Sequence, residues 1–112
     1  IYMEGKMKNI KKSEILCLKD EIAYQDGQVA SKTLAQNEHV SLTLFAFEKD
    51  EEISTHESGG DAMVTVLDGI GKITIDGKPY ILNVGESIIM PAGIPHAVYG
   101  QERFKMLLSV IF

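Results

Sequence analysis

Beyond Gln28 the chain alternates apolar and polar residues with a period of two, and turn residues interrupt the alternation, so this part reads as a series of strands. Residues 29–34 are the first. Asn37-Glu38 then turns the chain into residues 39–47, which place Val40, Leu42, Leu44 and Ala46 on one face and His39, Ser41, Thr43 and Phe45 on the other. Residues 49–52 form a polar connector. Residues 62–67 are a further strand, closed by Asp68-Gly69. Residues 72–75 and 79–82 flank Asp76-Gly77, a strong hairpin signal, because Gly accepts the positive φ of a tight turn. Residues 87–90, 97–99 and 104–111 complete the set, and Pro91 and Pro95 keep the loop between the first two out of any central strand. Helical signal is confined to the beginning, where Ser13 is placed to cap a short helix over residues 14–18. The expectation is an all-β antiparallel sandwich or barrel with a short N-terminal helix. Periodicity alone leaves jelly-roll, immunoglobulin-like and lipocalin-like topologies open.

Length and composition narrow the class. A chain of 112 residues fits one domain. The expected division is a tail over residues 1–9 and a single domain over 10–112. The first residue is Ile1, as in a fragment or a cloning remnant, with Met3 or Met7 as the natural start. Hydrophobic residues at 45% and charged residues at 24% describe a chain with a packed core. Sixteen Asp and Glu against 11 Lys and Arg give a net charge of −5, which argues against nucleic acid or an anionic membrane as partner. No apolar run is long enough to span a bilayer and no secretory signal opens the chain, so a cytoplasmic protein is expected. The single cysteine, Cys17, excludes an internal disulfide framework and a cysteine-based zinc cluster. Ser87 lacks the glycine context of a serine nucleophile, and no phosphate-cradling glycine loop is present. Histidine is therefore the scarce resource: any metal or proton-transfer chemistry would draw on His39, His56 and His96.

One motif selects a topology. From Gly85 the chain runs Gly, five residues, Pro91, one residue, Gly93, two residues, His96. Gly85 turns the chain into a strand, Pro91 and Gly93 force a tight loop, and His96 opens the next strand. This pattern resembles the second motif of the cupin superfamily, although the Asn usual four residues after the His is Gly100 here. The first cupin motif is present in eroded form. His56 and Gly69 match, but Ser58 stands at the place of the second His and Ala62 at the place of the Glu. The resemblance implies a small antiparallel jelly-roll barrel of the cupin 2 type. It also implies a pocket at His56 and His96, surrounded by Ser58, Ala62, Val64, Met90 and Val98.

Family members with the full pattern hold a divalent metal through three His and one Glu. Only His56 and His96 carry over, so the resemblance implies a weakly held Fe, Mn, Ni or Zn ion at most, because catalytic sites normally keep three protein ligands. Asp61 is a carboxylate beside the lost Glu. Alternation turns it outward, and only the freedom of Gly59-Gly60 would bring it in. His39 lies outside the pattern. Met63, Met90 and Met106 have the spacing of core or pocket lining, and Tyr80 and Tyr99 that of strand packing. The favoured function is a small-molecule-binding barrel. The alternative is a metal-dependent oxygenase, isomerase or decarboxylase with a reduced two-His site, and a third reading is a regulatory dimer with an empty barrel. A homodimer is expected through an edge strand, with residues 29–47 as the candidate segment.

Overall fold

The structure, a computed structural model, describes residues 6–112. The first five residues of the expected tail, Met3 among them, lie outside the described residues. Seven strands follow a single 3₁₀ turn at Leu18–Asp20: β1 (Val29–Gln36), β2 (Val40–Phe47), β3 (Glu52–His56), β4 (Asp61–Ile75), β5 (Lys78–Leu82), β6 (Ser87–Met90) and β7 (His96–Ile111). All pairings are antiparallel.

The architecture rests on the two long strands. β4 and β7 pair from Asp61 opposite Ile111 to Ile75 opposite His96. The first half of β4 and the second half of β7 are flanked by β6 on one side and by β2 and then β1 on the other. The remaining halves are flanked by β5 and β3. Two sheets therefore share one bent strand pair and close on each other as a jelly roll. Their inner faces make one core, in which Val64, Val66, Phe104 and Met106 from the first sheet meet Ile73, Leu82 and Val98 from the second. The Phe47 and Phe104 rings stack there, 4.7 Å apart.

Each long strand was expected as two short ones. Asp68-Gly69 does not end β4 because the turn is absorbed inside the strand: Gly69 has φ +72°, and the register against β7 shifts on both sides of it. Residues 97–99 and 104–111 likewise merge into β7. At the other predicted turn, Asp76 (φ 49°) and Gly77 (φ 81°) both take positive φ, the geometry of a two-residue hairpin turn. β3 was not anticipated: only its first residue, Glu52, falls in the expected connector over residues 49–52, and Ile53 is its only apolar residue.

The predicted N-terminal helix over residues 14–18 does not form. Ser13 has φ 61°, which is not the extended geometry of a helix cap, and among the described residues the only helical turn is the 3₁₀ segment that starts at Leu18. A five-residue helix gains too few hydrogen bonds to offset its nucleation. The wider stretch over residues 10–24 lies against the outer face of the first sheet, while Ile15 stays exposed. Ile22 packs there with Leu34, Leu44 and Ala46, joined by Ile10, Leu18, Tyr24 and Leu42. The aliphatic face of β2, with Leu42, Leu44 and Ala46, is thus covered from within the chain, while Phe45 and Phe47 point into the barrel. Tyr24 fastens the segment: its hydroxyl donates to the Asp68 carboxylate at 2.5 Å, and the Arg103 guanidinium sits 4.2 Å over its ring. Burial, reinforced by Asp68, raises the proton affinity of that phenol. The Lys8 amide N–H donates to the Leu34 carbonyl at 2.8 Å and ties the leading residues to β1. Among the described residues no helix is long and apolar enough to cross a membrane.

Gly69 carries a specific load. A Cβ built on it would lie 1.8 Å from the Arg103 carbonyl oxygen, whereas one on Gly77 meets nothing within 4 Å. Both glycines have positive φ, so the difference isolates close packing from backbone strain. Gly69→Ala is expected to cost about 2–5 kcal/mol, as strain plus overpacking, and Gly77→Ala about 1–2 kcal/mol from strain alone. Urea denaturation checks this; equal losses would remove the packing argument.

Candidate functional site

The site forms where β3 and β7 meet. His56 and His96 are directly opposed residues of that pairing, so both rings leave the sheet on the same side. Their orientation is fixed by the loops around them. Pro91 to Ile94 is a tight turn closed by the Ile94 N–H donating to the Pro91 carbonyl, with Gly93 at φ 73°. The Gly93 N–H donates to the Ser58 carbonyl at 2.9 Å, and the Ala92 N–H donates to the Asp61 carboxylate at 2.9 Å. The loops carrying the two motifs are thereby tied together, and His96 starts β7 from a fixed point.

The imidazoles meet edge to face, with centroids 4.3 Å apart and planes at 76°. Their Nε2 atoms are 3.1 Å apart. Nδ1 of His56 lies 2.8 Å from the Ser54 carbonyl oxygen, and Nδ1 of His96 lies 3.2 Å from that of Ile94. His96 is buried, at 2% exposure, while His56 reaches the surface. Burial lowers the proton affinity of His96, and His56 beside it acts in the same sense, against smaller opposing effects of the Ile94 carbonyl and Glu57.

Behind the pair lies a cavity of about 230 Å³. Phe45, Ile53, Ala62, Met90, Val98, Met106, Leu108 and Val110 form an apolar wall, and His56, Glu57, Ser58 and His96 form the polar end. Of the residues expected there, Ser58, Ala62, Met90 and Val98 line the cavity with the two histidines. Val64 does not: it is fully buried in the core. Asp61 is not brought to the histidines either. Its carboxylate holds the Ala92 N–H on the outer side of the barrel, as the parity of β4 requires. His39 is exposed beside Glu38, remote from the pocket, and Cys17 is exposed. Tyr99 donates to the Asp50 carboxylate, and Tyr80 packs against the core. Phe45, Ile53, Glu57, Leu108 and Val110 were not anticipated. The signal for Leu108 and Val110 was available, since residues 96, 98, 106, 108 and 110 share one parity.

The donor set was tested against a divalent metal. With metal–nitrogen bonds of about 2.0–2.1 Å, two imidazoles on one tetrahedral ion stand about 3.3–3.4 Å apart, so the observed spacing suits two adjacent ligands. A third is missing. The Ser58 hydroxyl accepts the Gly60 N–H at 3.2 Å, and Ala62 offers a methyl group. Among the described residues no three His, Cys, Asp or Glu side chains assemble into a metal-binding group. These residues make half of a metal centre and do not complete one.

Residues 43–111 match the cupin domain family. A conserved protein of unknown function from Streptococcus pyogenes is 43% identical, with a TM-score of 0.93 over 98% of this chain and 96% of its own. A cupin superfamily protein from Desulfitobacterium hafniense DCB-2 is 33% identical, with a TM-score of 0.91 over 96% of this chain and 99% of its own. This chain belongs to the cupin family. Salicylate 1,2-dioxygenase from Pseudoaminobacter salicylatoxidans is 16% identical, with a TM-score of 0.70 over 84% of this chain and 28% of its own, and that likeness concerns the fold alone. A comparison with curated proteins gives no match.

The buried His96 makes the barrel sensitive to acid. Its folded proton affinity is lowered, so below the ordinary histidine value of 6.5 the unfolded chain takes up a proton that the folded site resists. Its contribution to stability is complete above that value and declines as pH falls through it. Denaturation at pH 7.5 and 5.5 is expected to show a larger loss for the wild type than for His96→Gln. Identical pH dependence in the two proteins would count against a neutral buried imidazole.

Proposed function

We propose that the protein is a small-molecule-binding barrel whose ligand lies in the cavity behind His56 and His96. The observation that carries this reading is a concave site with a continuous apolar wall and polar groups converging at one end, the usual make-up of a small-molecule pocket. Its volume, about 230 Å³, exceeds the roughly 150 Å³ of a protein cavity that holds benzene and falls below the roughly 300 Å³ where drug-sized sites begin. A ligand of one ring, or the aliphatic equivalent, fits that interval. The side chains of Phe45, Met90 and Met106 exclude water around its apolar body, and the imidazoles orient its polar end. The small residues Ser58 and Ala62 leave room beside the histidines that larger ligating side chains would fill.

Benzyl alcohol, a neutral one-ring probe, is expected to shift the methyl resonances of Met90 and Met106 in metal-free protein. Ala62→Leu, which fills the cavity, is expected to remove those shifts while the barrel stays folded. Absence of any shift in the wild type would defeat the pocket reading.

The 3.1 Å spacing of the Nε2 atoms supports a second reading, a metal-dependent enzyme in which the ligand and waters complete the coordination. Two protein ligands bind weakly, so protein purified without chelator is expected to carry well under one equivalent of Fe, Mn, Ni or Zn. Elemental analysis that finds a full equivalent, lost in the His56→Ala, His96→Ala double variant, would transfer the conclusion to the enzyme.

A further inference from the structure

The histidine pair has a proton deficit. Three contacts surround the two rings: Nδ1 of His56 to the Ser54 carbonyl, Nδ1 of His96 to the Ile94 carbonyl, and Nε2 to Nε2. Each needs one hydrogen between its heavy atoms. A neutral imidazole carries one N–H, so two neutral rings supply two hydrogens for three contacts. Carbonyl oxygens only accept, so when both Nδ1 atoms donate, two bare lone pairs face each other 3.1 Å apart. Turning one ring to its other tautomer moves the gap without closing it. An added donor or positive charge closes it.

The surroundings set the sign of what can be added. Apart from the histidines, Glu57 is the only ionisable residue that lines the cavity, and no lysine or arginine does. An anionic head would meet two lone pairs and a carboxylate with no counter-charge. A cationic head would donate to the Nε2 atoms and face Glu57 at the mouth, with its apolar body against Phe45, Met90 and Met106.

We infer that the cavity selects small apolar molecules with a cationic, hydrogen-donating head, a primary amine being the simplest, and that Glu57 sets this charge selectivity. This rests on the cavity being a ligand site, and the test separates the two claims. Benzylamine, benzyl alcohol and benzoate share one ring and differ in head charge. Their affinities are measured by NMR titration at pH 8 on chelator-treated, dialysed protein. Benzylamine is expected to bind at least about tenfold more tightly than benzoate, the scale of one favourable against one unfavourable charge contact near a surface. Glu57→Gln is expected to weaken benzylamine severalfold and leave benzyl alcohol within twofold. This exposed residue holds no part of the fold, and the wild-type comparison needs no variant.

If benzyl alcohol binds but benzylamine is no better than benzoate, the charge inference falls and the pocket reading survives. An unchanged benzylamine affinity in Glu57→Gln overturns the role of Glu57. If none of the three probes binds, both claims fall together.

Discussion

Strands β4 and β7 run antiparallel along the whole molecule, and their ladder is the constraint on which every other contact depends. Each is in the first sheet at one end and in the second at the other. A backbone that changes sheets without leaving its hydrogen-bonded partner must bend, and the bend here is taken by register shifts around Gly69. Because the Arg103 carbonyl sits where a side chain of residue 69 would lie, the two sheets can approach only at a glycine. The core residues of both sheets then face each other, and water leaves the space between Ile73, Val98, Phe104 and Met106.

The same ladder produces the site. Ile75 opposite His96 is its last pair, so the histidine is held at the rim rather than deep in the barrel. β3 then lays His56 against His96 from the other side. One ring is buried and the other reaches solvent because β7 is flanked on both sides here while β3 is an edge strand. That asymmetry gives the pocket a closed wall and an open mouth. It is also why burial lowers proton affinity at His96.

Much of this was legible in the chain. Turn chemistry marked Asp76-Gly77 and the Pro91–Gly93 loop, since positive φ and fixed proline geometry are local demands that a sequence displays directly. The alternation in residues 39–47 and the motif around His96 were equally local. What the sequence did not display depends on context. Asp68-Gly69 reads as a chain reversal, and it became a bulge because β7 continues to pair on both sides of it. Residues 14–18 had a cap and some helical character, but so short a helix cannot offset its nucleation, and of these residues only Leu18 packs on the outer cluster while Ile15 stays exposed. β3 shows almost no apolar alternation, because an edge strand at a pocket mouth buries little beyond Ile53. Asp61 followed the strand parity that pointed it outward. Glu57 gave no signal, because it lies just past β3, where alternation no longer fixes the direction of a side chain.

Losing ligands from a metal motif changes the electrostatics of what remains. In a full set a metal ion compensates the inward-facing lone pairs of its histidines. Here Ser58 accepts from Gly60 and Ala62 contributes only volume, so the two imidazoles face each other beside an apolar wall with two hydrogens for three contacts. His96 is the only buried polar residue of the described chain, and each of its ring nitrogens has a partner within 3.2 Å, the Ile94 carbonyl and His56 Nε2. The pair is held in one orientation by its carbonyl contacts, is one hydrogen short for its three contacts, and is open to solvent on the His56 side.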